Sequence, residues 1–61
     1  MNAQELLLKT IRNQIDKNCS LNDEIAKILD ISYDAAHRRI SLKSKFSIEE
    51  TVMLCKHYAI S

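Results

Sequence analysis

The stretch that decides the fold runs from Glu24 to Ile40 and reads EIAKILDISYDAAHRRI. Its apolar spacing predicts two short helices joined by a three-residue turn. Apolar and small side chains form one stripe of the second helix, at Tyr33, Ala36 and Ile40. Polar side chains form the opposite stripe, at Asp34, His37, Arg38 and Ser41. Such groups are long enough to reach base edges in a major groove, or they are simply the solvated side of a surface helix.

The charges are segregated along the chain, although the formal net charge is only +1. Residues 35–48 contain no carboxylate and carry four cationic side chains, at Arg38, Arg39, Lys43 and Lys45. His37 adds a positive charge at lower pH. The remainder has five cations and all eight acids, a net charge of −3. Because phosphate binding depends on the local field, this pattern predicts a basic patch with modest, salt-sensitive affinity for nucleic acid.

Length and composition predict one small all-α domain. A chain of 61 residues buries only about 60% of the surface that it exposes when unfolded. Glycine and proline are both absent, whereas strand-rich folds of this size usually need glycine in their hairpins. No apolar run is long enough to cross a membrane. We therefore expect a cytoplasmic protein with neither a membrane segment nor a signal peptide.

The chain has two cysteines, Cys19 and Cys55, which raise the alternatives of a disulfide and a zinc site. In the cytoplasm both thiols are expected to stay reduced. A zinc site would have to draw its ligands from these cysteines together with His37 and His57. There is no Cys-x-x-Cys pair, and Cys55 and His57 point in different directions on a helix. We expect no metal and no cofactor.

Four helices follow from the cap signals and the apolar spacing. Their predicted ranges are about Ala3 to Lys17, Leu21 to Leu29, Ser32 to Ile40 or Ser41, and Ile48 to Tyr58. Lys17, Asn18 and Cys19 form the first break, and Asp30 ends the second helix. Ser20, Ser32 and Ser47 are the predicted N-caps. Glu50 completes a capping box with Ser47.

Each helix has a predicted inner stripe. The expected buried residues are Leu7 or Leu8, Ile11 and Ile15 in the first helix, and Leu21, Ile25, Ile28 and Leu29 in the second. In the fourth helix they are Ile48, Val52, Cys55 and Ala59. Residues 42–46 form a basic loop whose apolar ends, Leu42 and Phe46, are expected to tuck inward. The predicted architecture is a compact bundle of four short helices.

The segment from Glu24 to Ile40 resembles the DNA-binding helix-turn-helix of bacterial and phage repressors, the lambda-repressor-like superfamily. That pattern has a small alanine, then a residue that tolerates left-handed backbone, an aliphatic residue, and a serine that opens the recognition helix. The matching positions here are Ala26, Asp30, Ile31 and Ser32. The string ISYDAAHRRI also resembles the recognition region of Lac-repressor-type regulators. Asp30 departs from the pattern, which usually has glycine at this turn.

The resemblance implies sequence-specific binding of double-stranded DNA by a transcriptional regulator. Side chains implied to reach bases are Tyr33, Asp34 and Arg38, to which the polar stripe adds His37. Arg38 suits a bidentate contact to guanine, and Asp34 suits either a cytosine amino group or the orientation of Arg38. Ser32 and the helix N-terminus are implied to hold a phosphate. Further backbone contacts are expected from Arg39, Lys43, Ser44 and Lys45. Partial burial in the core is an alternative for Tyr33.

Two other classes of function compete with DNA binding. A helical interaction or dimerisation module that kept this fold would explain the low net charge and the acidic Asp34 on the polar stripe. We do not expect an enzyme, because the histidines and cysteines have no spacing that assembles a nucleophile, a base and an orienting group. Since one recognition helix covers only a few base pairs, we expect residues 1–61 to be the N-terminal DNA-binding domain of a longer regulator that forms a homodimer.

Overall fold

The computed structural model describes residues 2–60, which form four helices and the segments that connect them. Their bounds are α1 Ala3–Gln14, α2 Leu21–Leu29, α3 Tyr33–Ile40 and α4 Ile48–His57. No strand occurs within this range. The predicted all-α class and the predicted order of four short helices are confirmed. None of the four helices is long and apolar enough to cross a membrane.

Every helix begins at a polar residue whose side chain caps it. The caps are Asn2, Ser20, Ser32 and Ser47, and each accepts a hydrogen bond from the backbone N–H three residues further on. Such a bond satisfies one of the N–H groups that the first turn leaves without a helical partner. Ser47 and Glu50 form the full capping box that the sequence predicts. These local bonds explain why α2, α3 and α4 all begin where predicted.

The first helix ends three residues earlier than predicted, at Gln14 rather than Lys17. The chain then turns on Asp16, whose carboxylate accepts from the Asn18 N–H at 3.1 Å. The Asp16 carbonyl also accepts from the Cys19 N–H at 2.9 Å. An aspartate that bonds its own downstream backbone competes with helical hydrogen bonding, and this competition shortens α1.

Three helices end at residues with left-handed backbone, and none of these residues is glycine. Asp30 follows α2 with φ of 55°, Leu42 follows α3 with φ of 66°, and Ala59 follows α4 with φ of 54°. After α3 and α4 the next two N–H groups bond back to carbonyls of the last turn, which is the Schellman arrangement. A chain without glycine must place residues with a Cβ at these positions, and each does so at some cost.

The core lies between α2 and its neighbours. Its buried members are Ile11, Ile25, Leu29, Ala36 and Leu54. Leu8 of α1 is also buried. Helix α2 packs against both α3 and α4. The predicted inner stripes of α1 and α2 are therefore confirmed at their centres, while Leu7, Ile15, Leu21 and Ile28 are half-buried around the core.

The predicted inner face of α4 is wrong for three of its four residues, and only Cys55 is half-buried as part of that face. Ile48 is 84% exposed and Val52 is 45% exposed, and Ala59 lies exposed beyond the helix. The residue that α4 buries completely is Leu54, with Thr51, Cys55 and Tyr58 half-buried around it. Helix α4 has two apolar stripes. The stripe that faces the core includes the polar Thr51, so the sequence pattern alone does not identify it as the buried one. The expectation for Leu42 is also wrong, because this side chain stays 42% exposed, whereas Phe46 does pack against the core.

Candidate nucleic-acid interface

Helix α3 is held against α2 by the turn between them and by one buried side chain. Asp30 takes a left-handed conformation, and the Ile31 N–H donates back to the Ala26 carbonyl at 3.0 Å. Asn22 is buried in α2, and its Nδ2 donates to the Tyr33 carbonyl at 3.0 Å. Because this bond joins the start of α3 to α2, it restrains the orientation of α3 relative to α2. No sequence pattern predicts this role of Asn22.

The outer face of α3 consists of polar and aromatic side chains. Ala36 is fully buried on the inner side, and the opposite side of the helix is exposed. Exposed side chains on the outer face belong to Asp34, His37 and Arg38, and Tyr33 is exposed at the first position of the helix. Tyr33 is 59% exposed, so its partial burial in the core, the alternative considered above, does not occur. All four predicted base-contacting residues are therefore accessible to solvent.

The N-terminus of α3 combines a hydroxyl with an acidic residue. Ser32 is exposed, and its Oγ accepts from the Ala35 N–H at 3.1 Å. The first N–H groups of a helix carry partial positive charge that suits an anion. Asp34 lies in the same first turn, so its carboxylate interacts with this positive end and repels an incoming phosphate. Ser32 is therefore better placed than Asp34 to contact a phosphate of the DNA backbone.

The loop after α3 is fixed by Gln4 in the first turn of α1. The Gln4 Nε2 donates to the Arg39 carbonyl at 2.9 Å and to the Ser44 carbonyl at 2.8 Å. Its Oε1 accepts from the Phe46 N–H at 3.3 Å. The loop also bonds to the end of α3, because the Arg38 carbonyl accepts from the N–H groups of residues 43 and 44 at 2.8 and 3.2 Å. No sequence pattern singled out Gln4, since its partners lie far along the chain.

The Arg39 side chain forms its hydrogen bonds within the protein. Its Nε and Nη2 each lie 3.0 Å from an oxygen of Glu50, and its Nη1 donates to the Ala35 carbonyl at 3.0 Å. The two side chains of the ion pair are only 19% and 17% exposed. Burial would raise the pKa of Glu50, but the hydrogen bond from the Ser47 N–H and the Arg39 guanidinium outweigh it and hold that pKa below its ordinary value. The predicted phosphate contact of Arg39 has to compete with this pair.

Three of the four cations in residues 35–48 remain open to a ligand. Arg38, Lys43 and Lys45 are exposed, and no carboxylate of residues 2–60 forms an ion pair with them. Lys43 and Lys45 stand on the loop that Gln4 holds, next to the C-terminal end of α3. Ser44 lies between them and is half-buried, with its carbonyl bound to Gln4. The local positive charge therefore comes from three side chains rather than four.

The cysteines and histidines are not brought together. Cys19 is exposed and Cys55 is half-buried, and both are free thiols. His57 packs edge-on against Tyr58, with ring centroids 4.8 Å apart. Within residues 2–60 no group of three histidine, cysteine or acidic side chains is placed to hold a metal ion.

No protein-family model, curated protein or solved structure matches this chain. The assignment of a function to α3 therefore depends on the geometry of its own residues.

Proposed function

We propose that this chain binds double-stranded DNA in a sequence-specific manner, with α3 in the major groove, as the DNA-binding domain of a bacterial or phage transcriptional regulator. The observation that carries the proposal is the surface of α3. One side of the helix packs on α2 through the fully buried Ala36. The other side presents hydrogen-bonding side chains beside three exposed cations that pair with no carboxylate of residues 2–60. A major groove admits a helix with this arrangement.

The exposed side chains of α3 suit direct contacts to bases. Arg38 is the candidate for a guanine contact, because its guanidinium matches the O6 and N7 acceptors of that base in a bidentate manner. His37 and, at the start of the helix, Tyr33 provide further exposed groups. Asp34 suits a cytosine amino group, since a carboxylate next to the phosphates is otherwise unfavourable.

The surrounding residues suit contacts to the sugar-phosphate backbone. Lys43 and Lys45 supply charge from the loop, with Ser44 between them and Ser32 at the other end of α3. Three free cations predict a salt dependence with a logarithmic slope between about −2 and −3, from a contribution of about 0.9 per neutralised phosphate. Arg39 contributes indirectly, because its pair with Glu50 joins α3 to α4.

A single small domain of this kind covers only a few base pairs, and regulators with one recognition helix commonly bind paired half-sites as dimers. We therefore propose a homodimeric cytoplasmic regulator, in which each copy contributes one α3.

The first test is a titration of the ¹⁵N-labelled chain with a pool of random duplexes at low salt. We expect amide shifts centred on residues 32–45. Shifts confined to α1 or α4, or an unchanged spectrum, would contradict DNA binding by α3 and favour the alternative of a helical protein-interaction module.

The second test separates base contacts from phosphate contacts, after binding sites have been selected from random duplexes. Arg38→Ala is expected to cost about 1–3 kcal/mol on the selected site and to flatten the preference at one base pair. Lys43→Ala is expected to weaken all duplexes equally and to reduce the salt slope by about 1. Lys17→Ala is the matched control, because Lys17 is an exposed cation in the connection before α2. Equal losses for all three variants would refute the assigned roles.

A further inference from the structure

Helix α4 has an exposed stripe that packs against nothing in the described chain. Val52 and Met53 are large apolar side chains in the middle of this stripe, and both remain substantially exposed. Ile48 flanks them at the start of the helix and is 84% exposed. Apolar side chains grouped on one side of a helix indicate a surface that another protein covers.

The same stripe carries opposite charges at its two ends. Glu49 and Lys56 are both exposed, and together with Val52 and Met53 they fall at positions i, i+3, i+4 and i+7. Residues with this spacing lie on one face of a helix. The face is thus acidic at its N-terminal end, apolar in its centre and basic at its C-terminal end. We call these four residues the α4 stripe.

The core contacts of α4 leave the stripe accessible. Leu54 is completely buried, and Tyr58 packs against the core with its hydroxyl 3.5 Å from Glu24 of α2. Glu50 faces Arg39 of α3. The residues that hold α4 to the protein therefore lie on other sides of the helix than the stripe.

We propose that the α4 stripe binds the α4 stripe of a second copy of this chain, in an antiparallel helix pair with two-fold symmetry. In this arrangement Glu49 of each copy faces Lys56 of the other, and Val52 meets Met53 across the axis. A parallel pair would instead set like charges against each other. The stripe is self-complementary only in the antiparallel direction, and a two-fold interface requires one patch that matches itself.

The size of the contact predicts a weak dimer. Helix α4 has ten residues, so it is about 15 Å long, and one pair of such helices buries less than the ~1,200 Å² that is typical of stable interfaces. Association is therefore expected at high protein concentration in the absence of DNA. This contact supplies an interface for the homodimer proposed above, and because it is measured without DNA, its failure would leave DNA binding by α3 standing.

Paired charge reversals test the contact. Sedimentation equilibrium of the whole 61-residue chain without DNA is expected to show reversible dimerisation, with concentration-dependent amide shifts at the α4 stripe. Glu49→Lys gives a stripe with two cations, and Lys56→Glu gives a stripe with two acids. Each variant alone is expected to self-associate about tenfold more weakly, from two unfavourable pairs at an exposed contact. An equimolar mixture is expected to restore association, because every charge then faces its opposite.

A matched mixture controls for attraction between net charges. Glu5→Lys and Lys27→Glu change the net charge by the same amounts, but both residues are exposed on other helices. Their mixture is expected to associate no more strongly than the wild-type chain, and Val52→Glu is expected to abolish dimerisation while the domain stays folded. A wild-type chain that remains monomeric at millimolar concentration would overturn the proposal. So would a mixture of the α4 variants that associates no better than its components or than the control mixture.

Discussion

Replacing Ala59 or Asp30 by glycine is expected to stabilise this protein, although a change to glycine normally destabilises a helical domain. Both residues have left-handed backbone at the end of a helix, with φ of 54° and 55°. In this conformation the Cβ crowds the backbone, and glycine has no Cβ. Both side chains are exposed, so little packing is lost with them.

The magnitude follows from two opposing terms. Left-handed backbone costs a residue with a Cβ about 1–2 kcal/mol, which glycine avoids. Glycine gives the unfolded chain more freedom, and this opposes folding by about 0.4–1 kcal/mol. The net gain for Ala59→Gly is therefore about 0.5–1 kcal/mol, or a rise in Tm of roughly 2–8 °C for a domain of this size. Asp30 tolerates the left-handed conformation better than alanine does. Its carboxylate, however, lies at the negative C-terminal end of α2, so replacing it by glycine also removes a repulsion and is expected to stabilise the fold by a similar amount.

Thermal unfolding followed by circular dichroism measures both variants. Lys27→Gly is the matched control, because Lys27 is exposed within α2 and glycine there costs about 0.5–1 kcal/mol relative to alanine. We expect Tm to rise for the two variants at helix ends and to fall for the control. If Ala59→Gly and Asp30→Gly lower Tm as much as Lys27→Gly does, then neither position is left-handed in solution.

Two further predictions concern side chains with structural roles. Because the folded pKa of Glu50 lies below its ordinary value of 4.5, its carboxylate stabilises the fold fully above that pH and loses this effect as the pH falls through the lowered pKa. In urea unfolding at pH 7 the wild-type chain is expected to be more stable than Glu50→Gln by about 1.5–3 kcal/mol, as for a hydrogen bond to a charged group. This difference is expected to shrink below pH 4.5, and a difference that stays constant down to pH 2 would contradict the role of the Arg39 pair. Asn22→Ala removes the bond to the Tyr33 carbonyl from a buried site and is expected to cost about 1–3 kcal/mol, whereas the exposed Asn18→Ala has almost no effect; equal unfolding free energies for the two variants would show that the Asn22 bond is unimportant.

Features set by short-range chemistry were predictable from the sequence. The start of α2, α3 and α4 follows from Ser20, Ser32 and Ser47, because each serine bonds a backbone N–H only three residues away. The left-handed backbone of Asp30 was expected from the resemblance alone, which has at this position a residue that tolerates that conformation, and the φ of 55° confirms it. The exposed face of α3 follows in the same way from the burial of Ala36.

Features that depend on packing were not predictable. Both apolar stripes of α4 fit a helical period, and only the position of α2 decides that Leu54 faces inward while Ile48 and Val52 do not. Arg39 belongs to a basic segment by sequence, yet its partner Glu50 comes from the next helix. Asn22 likewise acts on a carbonyl eleven residues away. Such partners become visible only when the helices are assembled.

The bonds made by Gln4 limit how far the surface of α3 can be transplanted. This side chain reaches across 35 to 42 positions of sequence to hold the backbone of the loop that carries Lys43 and Lys45. A graft of residues 20–46 into another helical scaffold would keep the caps of α2 and α3 but leave those loop groups to water. Whoever designs such a chimera has to supply an amide at the place of Gln4, or redesign the loop to hold itself.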